Sequence, residues 1–221
     1  ERIPIPQLAK QFEALLRKHG ITLELTPVML EQLAKFYVFL SDYNRKLNMT
    51  RIHGFQDFAI KHYVDCLYVA QLTELPTPLI DMGTGAGFPG IPLKIAKPEI
   101  RIILVEGVQK RVEYLKEVRD HLKLQKLDII GRNVDPKMQY PVQGLITRAV
   151  ETCAATLGNA VNCVQTGGRV ILMKTPEIEA EMAEAKEKWG HIYDLVQDTS
   201  YELKGTPNQR RLVVYQKKRP L

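Results

Sequence analysis

Residues 79–90 read Leu-Ile-Asp-Met-Gly-Thr-Gly-Ala-Gly-Phe-Pro-Gly, and no other stretch narrows the fold as far. A short apolar run carries an acid, Asp81. Glycines then alternate at 83, 85 and 87, and Phe88-Pro89-Gly90 leads into a second apolar run. Glycine lets a backbone turn sharply and lets a ligand approach where a Cβ would otherwise stand. A strand, such a turn and a helix make the first crossover of a doubly wound sheet, the switch point where ligands bind.

The rest of the chain agrees. Apolar runs at Leu79–Met82, Arg101–Glu106, Leu127–Gly131, Gly144–Thr147 and Arg169–Met173 alternate with helical patterns at Gln109–Leu122, Glu151–Val164 and Pro176–Trp189. That alternation is the signature of βαβ units and a parallel sheet. A late pair, His191–Gln197 and Arg211–Gln216, predicts an antiparallel closing hairpin. The first 75 residues are helical in pattern: Ile5, Leu8, Phe12, Leu15 and Leu16 recur at helical spacing. Thr26-Pro27 opens a second helix striped by Leu30, Leu33, Ala34, Tyr37 and Leu40, and a third helix is predicted from Phe55 to Leu72. Pro76-Thr77-Pro78 punctuates the boundary. The expected architecture is α/β: a Rossmann-like, mostly parallel seven-stranded domain over 76–221, with a helical extension over 1–75.

Two ligands compete for the turn. Gly85-x-Gly87-x-x-Gly90 has the letters of a dinucleotide fingerprint. That fingerprint, however, begins directly at the strand end and offers a helix N-terminus to a pyrophosphate. Here Asp81 stands in the way, and counting from the first glycine puts Phe88 where the last glycine belongs. A carboxylate repels pyrophosphate and suits a cation, so S-adenosylmethionine, with its ammonium and sulfonium, is favoured over a nicotinamide dinucleotide. Gly83, Thr84 and Gly85 are then the cradle. Glu106, 25 residues after Asp81, ends the second strand and can accept both ribose hydroxyls, a device shared by both cofactor classes. After the third strand, Asn133 and Val134 in Gly131–Asp135 are placed to flank an adenine.

Composition sets outer limits. With 31 Lys and Arg against 25 Asp and Glu, the formal charge is +6, a modest lean toward phosphate-bearing partners. No apolar run approaches the ~20 residues a bilayer demands. The first residues lack a secretory pattern, and Cys66, Cys153 and Cys163 are unpatterned among apolar neighbours. A reducing cytoplasm, no metal and no disulfide framework are expected. Nothing in the sequence points to an obligate interface, so a monomer is expected.

The chain resembles the bacterial small-subunit (16S) ribosomal RNA guanine-N7 methyltransferases, the glucose-inhibited division protein B family. The matching stretches are residues 46–52 (Lys-Leu-Asn-Met-Thr-Arg-Ile), 61–67 (Lys-His-Tyr-Val-Asp-Cys-Leu), Asp81–Pro92, Glu106–Leu115, Thr147-Arg148-Ala149 and Leu172-Met173-Lys174. The specific part is the turn's continuation into Phe88-Pro89-Gly90-Ile91-Pro92. The resemblance implies a class I methyltransferase fold, S-adenosylmethionine as donor, S-adenosylhomocysteine as product and a guanine N7 as acceptor. It implies that Gly83 and Phe88 line the donor pocket, that Asn133 and Val134 contact the adenosine, and that Arg148 borders donor and RNA. Two places depart from the family. Arg132-Asn133-Val134-Asp135 stands where Arg-Val-Glu or Arg-Ala-Glu is common, and Glu106-Gly107 replaces an Asp-Ser type of pair while keeping the acid.

Guanine N7 carries an exposed lone pair, so its methylation needs no general base and no catalytic base is nominated. Alignment of nucleophile, methyl and sulfur is the expected contribution. Candidate RNA contacts are Arg51, His62, Lys110, Arg111, Arg148 and Lys174, with Arg148 and Lys174 foremost because both end strands at the ligand edge. Lys110 and Arg111 equally suit a solvated first helical turn, and His62 suits a packed helix histidine better than an RNA contact. The tail cations Arg210, Arg211, Lys217, Lys218 and Arg219 suit either a phosphate track or an exposed strand face. A methyltransferase acting on a small molecule or protein, and a non-catalytic RNA-binding module, are the competing readings.

Overall fold

The computed structural model describes residues 2–51, 54–148 and 150–221. Ile52 and Ala149, which close two of the motif stretches, lie outside them. Helix α1 spans Ile5–Lys18 and buries Leu8, Ala9, Phe12 and Leu16. Helix α2 spans Pro27–Leu47; Pro27 sits at its first turn, and the Thr26 hydroxyl accepts a hydrogen bond from Met29 N at 3.3 Å, as the sequence predicts. The helix expected over Phe55–Leu72 is in three pieces: α3 (Phe55–Phe58), a π-helical segment (Ala59–Val64) and α4 (Asp65–Leu72). A π turn admits one extra residue and shifts the helix's phase. The unbroken run His62–Leu67 is buried as a result.

The sheet is formed by β1 (Leu79–Met82), β2 (Ile102–Val105), β3 (Leu127–Ile130), β4 (Val142–Arg148), β5 (Val164–Lys174), β6 (Tyr193–Glu202) and β7 (Gln209–Lys217). Their order is β3-β2-β1-β4-β5-β7-β6. The first five run parallel, and β7 lies antiparallel between β5 and β6. The strand order reverses between β1 and β4, which opens a crevice beyond the carboxyl end of β1. Between the strands lie α5 (Gly90–Ala96), α6 (Gln109–His121), α7 (Cys153–Ala160) and α8 (Glu179–Trp189). Helix α7 stops short of the expected Val164 because that residue already pairs with Val142 as the first residue of β5.

Side chains alternate between the two faces, as the period of a strand requires. Leu79, Ile102, Leu104, Ile146, Ile171, Leu212 and Val214 join an apolar cluster that reaches through α5 and α6 to Phe12, Leu33, Phe36 and Tyr63 of the N-terminal helices. Ile80, Met82, Ile103, Val105, Leu145, Val170, Leu172 and Val213 join a second cluster under α7 and α8. The N-terminal helices therefore share one core with a face of the sheet. No described helix is long and apolar enough to cross a membrane. Among the described residues no His, Cys, Asp and Glu group is placed to hold a metal ion. The three cysteines are free and buried.

Candidate active site

The glycine turn is pinned at every step. Gly83 N and Thr84 N both donate to the Val105 carbonyl (2.9 and 3.2 Å), and Gly87 N and Phe88 N both donate to the Thr84 carbonyl (2.9 Å each). The Tyr114 hydroxyl on α6 donates to the Ala86 carbonyl at 3.0 Å. Gly83, Gly85 and Gly87 have φ of 65°, 60° and 109°, the left-handed region that β-carbons resist. At Gly83 a Cβ would press within 3.0 Å of Val150; at Gly85 it would meet nothing within 4 Å. Gly85 is thus the point where the turn faces open space.

Asp81 lies one residue before the end of β1 and is fully buried. Its Oδ2 accepts from Thr84 Oγ1 (2.5 Å) and from Gly90 N at the head of α5 (2.8 Å). Its Oδ1 is buried with no partner among the described residues. Burial pushes the carboxyl up to about 7, against the pull of Thr84, Gly90 N and Arg148. The sequence reading expects this acid beside a ligand; what the structure shows is a clasp that closes the turn onto α5.

Glu106 follows β2 and is buried. Its Oε2 accepts from Gly85 N at 2.9 Å, its Oε1 from Val108 N at 3.2 Å, and Arg111 Nη1 approaches Oε1 at 3.5 Å. The acid at the β2 tip therefore holds the open limb of the turn. A Cβ on Gly107 would collide with the Asn133 carboxamide, so the departure from the family at Gly107 and the one at Asn133 fit each other. Val134 is buried in the second core cluster, and Arg132 pairs with Asp135 at 2.9 Å, which braces the loop.

Arg148 ends β4 level with Gly83, since Asp81 pairs with Ile146. Its guanidinium reaches back to the π segment. Nη1 donates to the Lys61 carbonyl at 3.2 Å and lies 3.7 Å from Asp65 Oδ2, and Nη2 is 3.0 Å from His62 Nδ1. It also sits 5.2 Å from the centroid of the Phe88 ring. Phe88 is buried and stacks on His62 with centroids 4.1 Å apart and planes at 9°. Asp65 is buried between Arg148 and Arg210, whose Nε is 3.4 Å from Asp65 Oδ1; burial raises its carboxyl while the two arginines pull it down.

The remaining sequence candidates divide. Arg51 and Lys110 are exposed and Arg111 is half-buried. Lys174 is not available as expected: its ammonium donates to the Glu151 carbonyl at 2.5 Å and pairs with Glu181 at 2.9 Å. His62 is 5% exposed, and burial together with Arg148 and Lys61 drives it down to about 3, so it is a packed neutral ring. Most of the basic tail is also occupied. Arg211 pairs with Glu179 and Asp198, Lys218 with Asp194, and the buried Lys217 donates to the Val161 and Val164 carbonyls. Sequence reading missed Tyr114, Asp65 and two exposed valines, Val108 and Val150, which stand just after Glu106 and just beside Gly83. Asp65 and Tyr114 lie inside two of the motif stretches, 61–67 and 106–115, which was the available signal.

These residues fit a nucleoside-bearing cation. Gly85 leaves an approach free of side chains, Asp81 supplies buried negative charge with one oxygen unclaimed, Glu106 stands at the second strand tip, and Val108 offers an apolar wall. A pyrophosphate would meet two acids instead.

Solved structures of low identity share the fold. A methyltransferase from Pyrococcus furiosus superposes with a TM-score of 0.55 at 13% identity, over 84% of this chain and 98% of that one. An S-adenosylmethionine-dependent O-methyltransferase from Thermotoga maritima gives 0.53 at 12% identity, over 82% and 72%. Among curated relatives, a ribosomal RNA small subunit methyltransferase G 2 from Bdellovibrio bacteriovorus is 50% identical over 201 residues, 91% of this chain and 78% of the relative. One of the same name from Syntrophobacter fumaroxidans is 44% identical over 210 residues; these cover 95% of this chain but 42% of that relative's length. The family of rRNA small subunit methyltransferase G matches residues 29–213. The chain therefore belongs to the rRNA small subunit methyltransferase G family, a family of S-adenosylmethionine-dependent methyltransferases.

Proposed function

We propose that the crevice beyond β1 and β2 holds S-adenosylmethionine and that this enzyme methylates N7 of a guanine in small-subunit ribosomal RNA, leaving S-adenosylhomocysteine. The carrying observation is the turn itself: three left-handed glycines, held by Asp81 and Glu106, with open space only at Gly85. Bound there, the donor supplies an electrophilic methyl on a sulfonium.

The protein's part is placement. Gly83, Thr84, Gly85 and Phe88 form the cradle, Asp81 supplies its negative potential, and Glu106 faces the ribose. Asn133 and Val134 border the adenine, the latter through its backbone since its side chain is buried. Arg148 stands between donor and RNA. N7 needs no proton removed, so no base is assigned and rate comes from alignment and from a site that tolerates cationic charge. Of the six candidate RNA contacts, Arg51, Lys110 and Arg111 are the cations still open to phosphate. Residues 1–75 serve as an extension fused to the catalytic domain 76–221, and the enzyme works as a cytoplasmic monomer. The three buried thiols and the thin scatter of exposed apolar residues support that last reading.

The test is transfer of labelled methyl to small subunits lacking the modification, followed by mapping of the modified base. Label at a guanine N7 is the expected result. Label on protein, on another base or on a small molecule overturns the acceptor. Binding of donor and RNA without transfer overturns catalysis.

A further inference from the structure

The π segment presents two acceptors to a single guanidinium. Arg148 Nη1 takes the Lys61 carbonyl and Nη2 takes His62 Nδ1, while Asp65, at the segment's border, supplies the counter-charge. A guanidinium only donates, so Nδ1 is the acceptor and the imidazole proton sits on Nε2. That proton is directed at Thr50 Oγ1, 3.2 Å away. Thr50 is clasped in turn by Asn44, through its N–H to Oδ1 (2.8 Å) and its carbonyl to Nδ2 (2.9 Å). The ring lies flat on Phe88, so its plane is fixed from below. Both ring nitrogens and a ring face of His62 are thus engaged, which fixes the direction in which Nδ1 meets Arg148.

We propose that His62 is a positioning residue for methyl transfer: its Nδ1 holds the Arg148 guanidinium over Phe88 at the ligand edge of β4. Of the two sequence readings of His62, an RNA contact and a packed helix histidine, this extends the second. It rests on the reading of Arg148 as the residue between donor and RNA. The neutral ring is consistent with its burial beside two cations: a protonated imidazole would have no lone pair for Arg148 and would repel it. Through Thr50 the same ring joins the segment that follows α2, which carries the exposed Arg51, to the strand edge.

Two near-isosteres separate positioning from packing. The Asn carboxamide oxygen can take the place of Nδ1, and the Gln carboxamide takes the place of Nε2. In steady-state transfer to unmodified small subunits, His62→Ala lowers kcat by about tenfold to a hundredfold, the span of a charge-assisted hydrogen bond, with KM for the donor little changed. His62→Asn recovers most of that loss and His62→Gln does not. In an Arg148→Ala background, His62→Ala adds less than about twofold, because the interaction it served is already gone. Equal activity of the Asn and Gln variants, or losses that multiply in the double variant, overturns the inference. If His62→Ala does not fold, the Asn and Gln variants, each checked by thermal melting, decide the matter alone. A wild-type enzyme that transfers no methyl to small-subunit RNA overturns the function reading instead.

Discussion

Replacing Asp81 with Asn keeps the side chain's shape and removes its charge. The carboxyl is fully buried and is raised from 3.8 to about 7, chiefly by desolvation. An acid raised in the folded state stabilises the fold at low pH, and the benefit is lost as pH climbs from the unfolded value to the folded one. Each pH unit in that window corresponds to about 1.4 kcal/mol, so the ionised Asp81 costs the ligand-free fold about 4 kcal/mol above pH 7. An Asn carbonyl would still accept from Thr84 Oγ1 and Gly90 N. Its amide would occupy the place of the unpartnered Oδ1, at a cost of about 1–3 kcal/mol for a buried donor left alone. The net expectation is that Asp81→Asn is more stable than wild type by about 1–3 kcal/mol at pH 8 and less stable near pH 4. Urea unfolding of both proteins from pH 4 to 9 measures this. Binding should move the opposite way. Wild-type affinity for the cationic donor rises with pH through about 7 and levels off roughly one unit higher, where Asp81 is almost wholly ionised, while the Asn variant binds weakly and without that slope. Isothermal calorimetry across the same range reads it. An Asn variant less stable than wild type at pH 8, or one that keeps the wild-type pH slope in both assays, would refute the reasoning.

Gly83→Val should abolish measurable donor binding, since φ of 65° strains a branched residue and its Cβ would crowd Val150; a folded variant with unchanged affinity by calorimetry contradicts this. Lys174→Met should lower stability by about 1–3 kcal/mol in thermal or urea melts, because Glu181 and the Glu151 carbonyl lose their donor, and leave KM for RNA within about twofold. A raised KM with unchanged stability would return Lys174 to the RNA surface. Tyr114→Phe should cost about 1 kcal/mol of stability and loosen donor binding several-fold, because the hydroxyl that fixes the Ala86 carbonyl is gone; unaltered binding would show that the turn holds without it.

The sheet and the turn were legible because their signals are local. Short apolar runs and glycines at 83, 85 and 87 mark buried strands and left-handed backbone within a dozen positions. The π segment left no such trace. Six residues of i→i+5 bonding between two α-helical pieces, among buried neighbours on both sides, do not change the apolar pattern visibly. The fate of the charged candidates was hidden for another reason. Lys174, Arg211 and Lys217 are engaged by groups distant in sequence, Glu181 and Glu151, Asp198 and Glu179, and the Val161 and Val164 carbonyls. A strand-end cation reads the same whether its partner is a phosphate or a side chain delivered by a neighbouring helix. Tyr114 illustrates the same limit: its hydroxyl braces Ala86, 28 positions earlier, and only the packing of α6 on the sheet brings them together.

On the proposed reading of Arg148 as the residue between donor and RNA, the shared core between the N-terminal helices and the sheet has a consequence for catalysis that either part alone would lack. Arg148 sits at a strand tip, where an unrestrained guanidinium would carry about 2 kcal/mol of rotamer freedom to be lost when substrate binds. The Lys61 carbonyl, His62 and Asp65 remove that freedom before any ligand arrives, and Phe88, from the glycine turn itself, supports the plane beneath. The turn and the π segment are thus fixed against each other through one aromatic stack and one guanidinium. In a reaction with no proton to abstract, a preset angle between the proposed donor cradle and the proposed acceptor edge is the main thing a protein can supply. Such an angle is stable here because Phe36, Phe58 and Tyr63 pack the same helices onto Phe88 from behind.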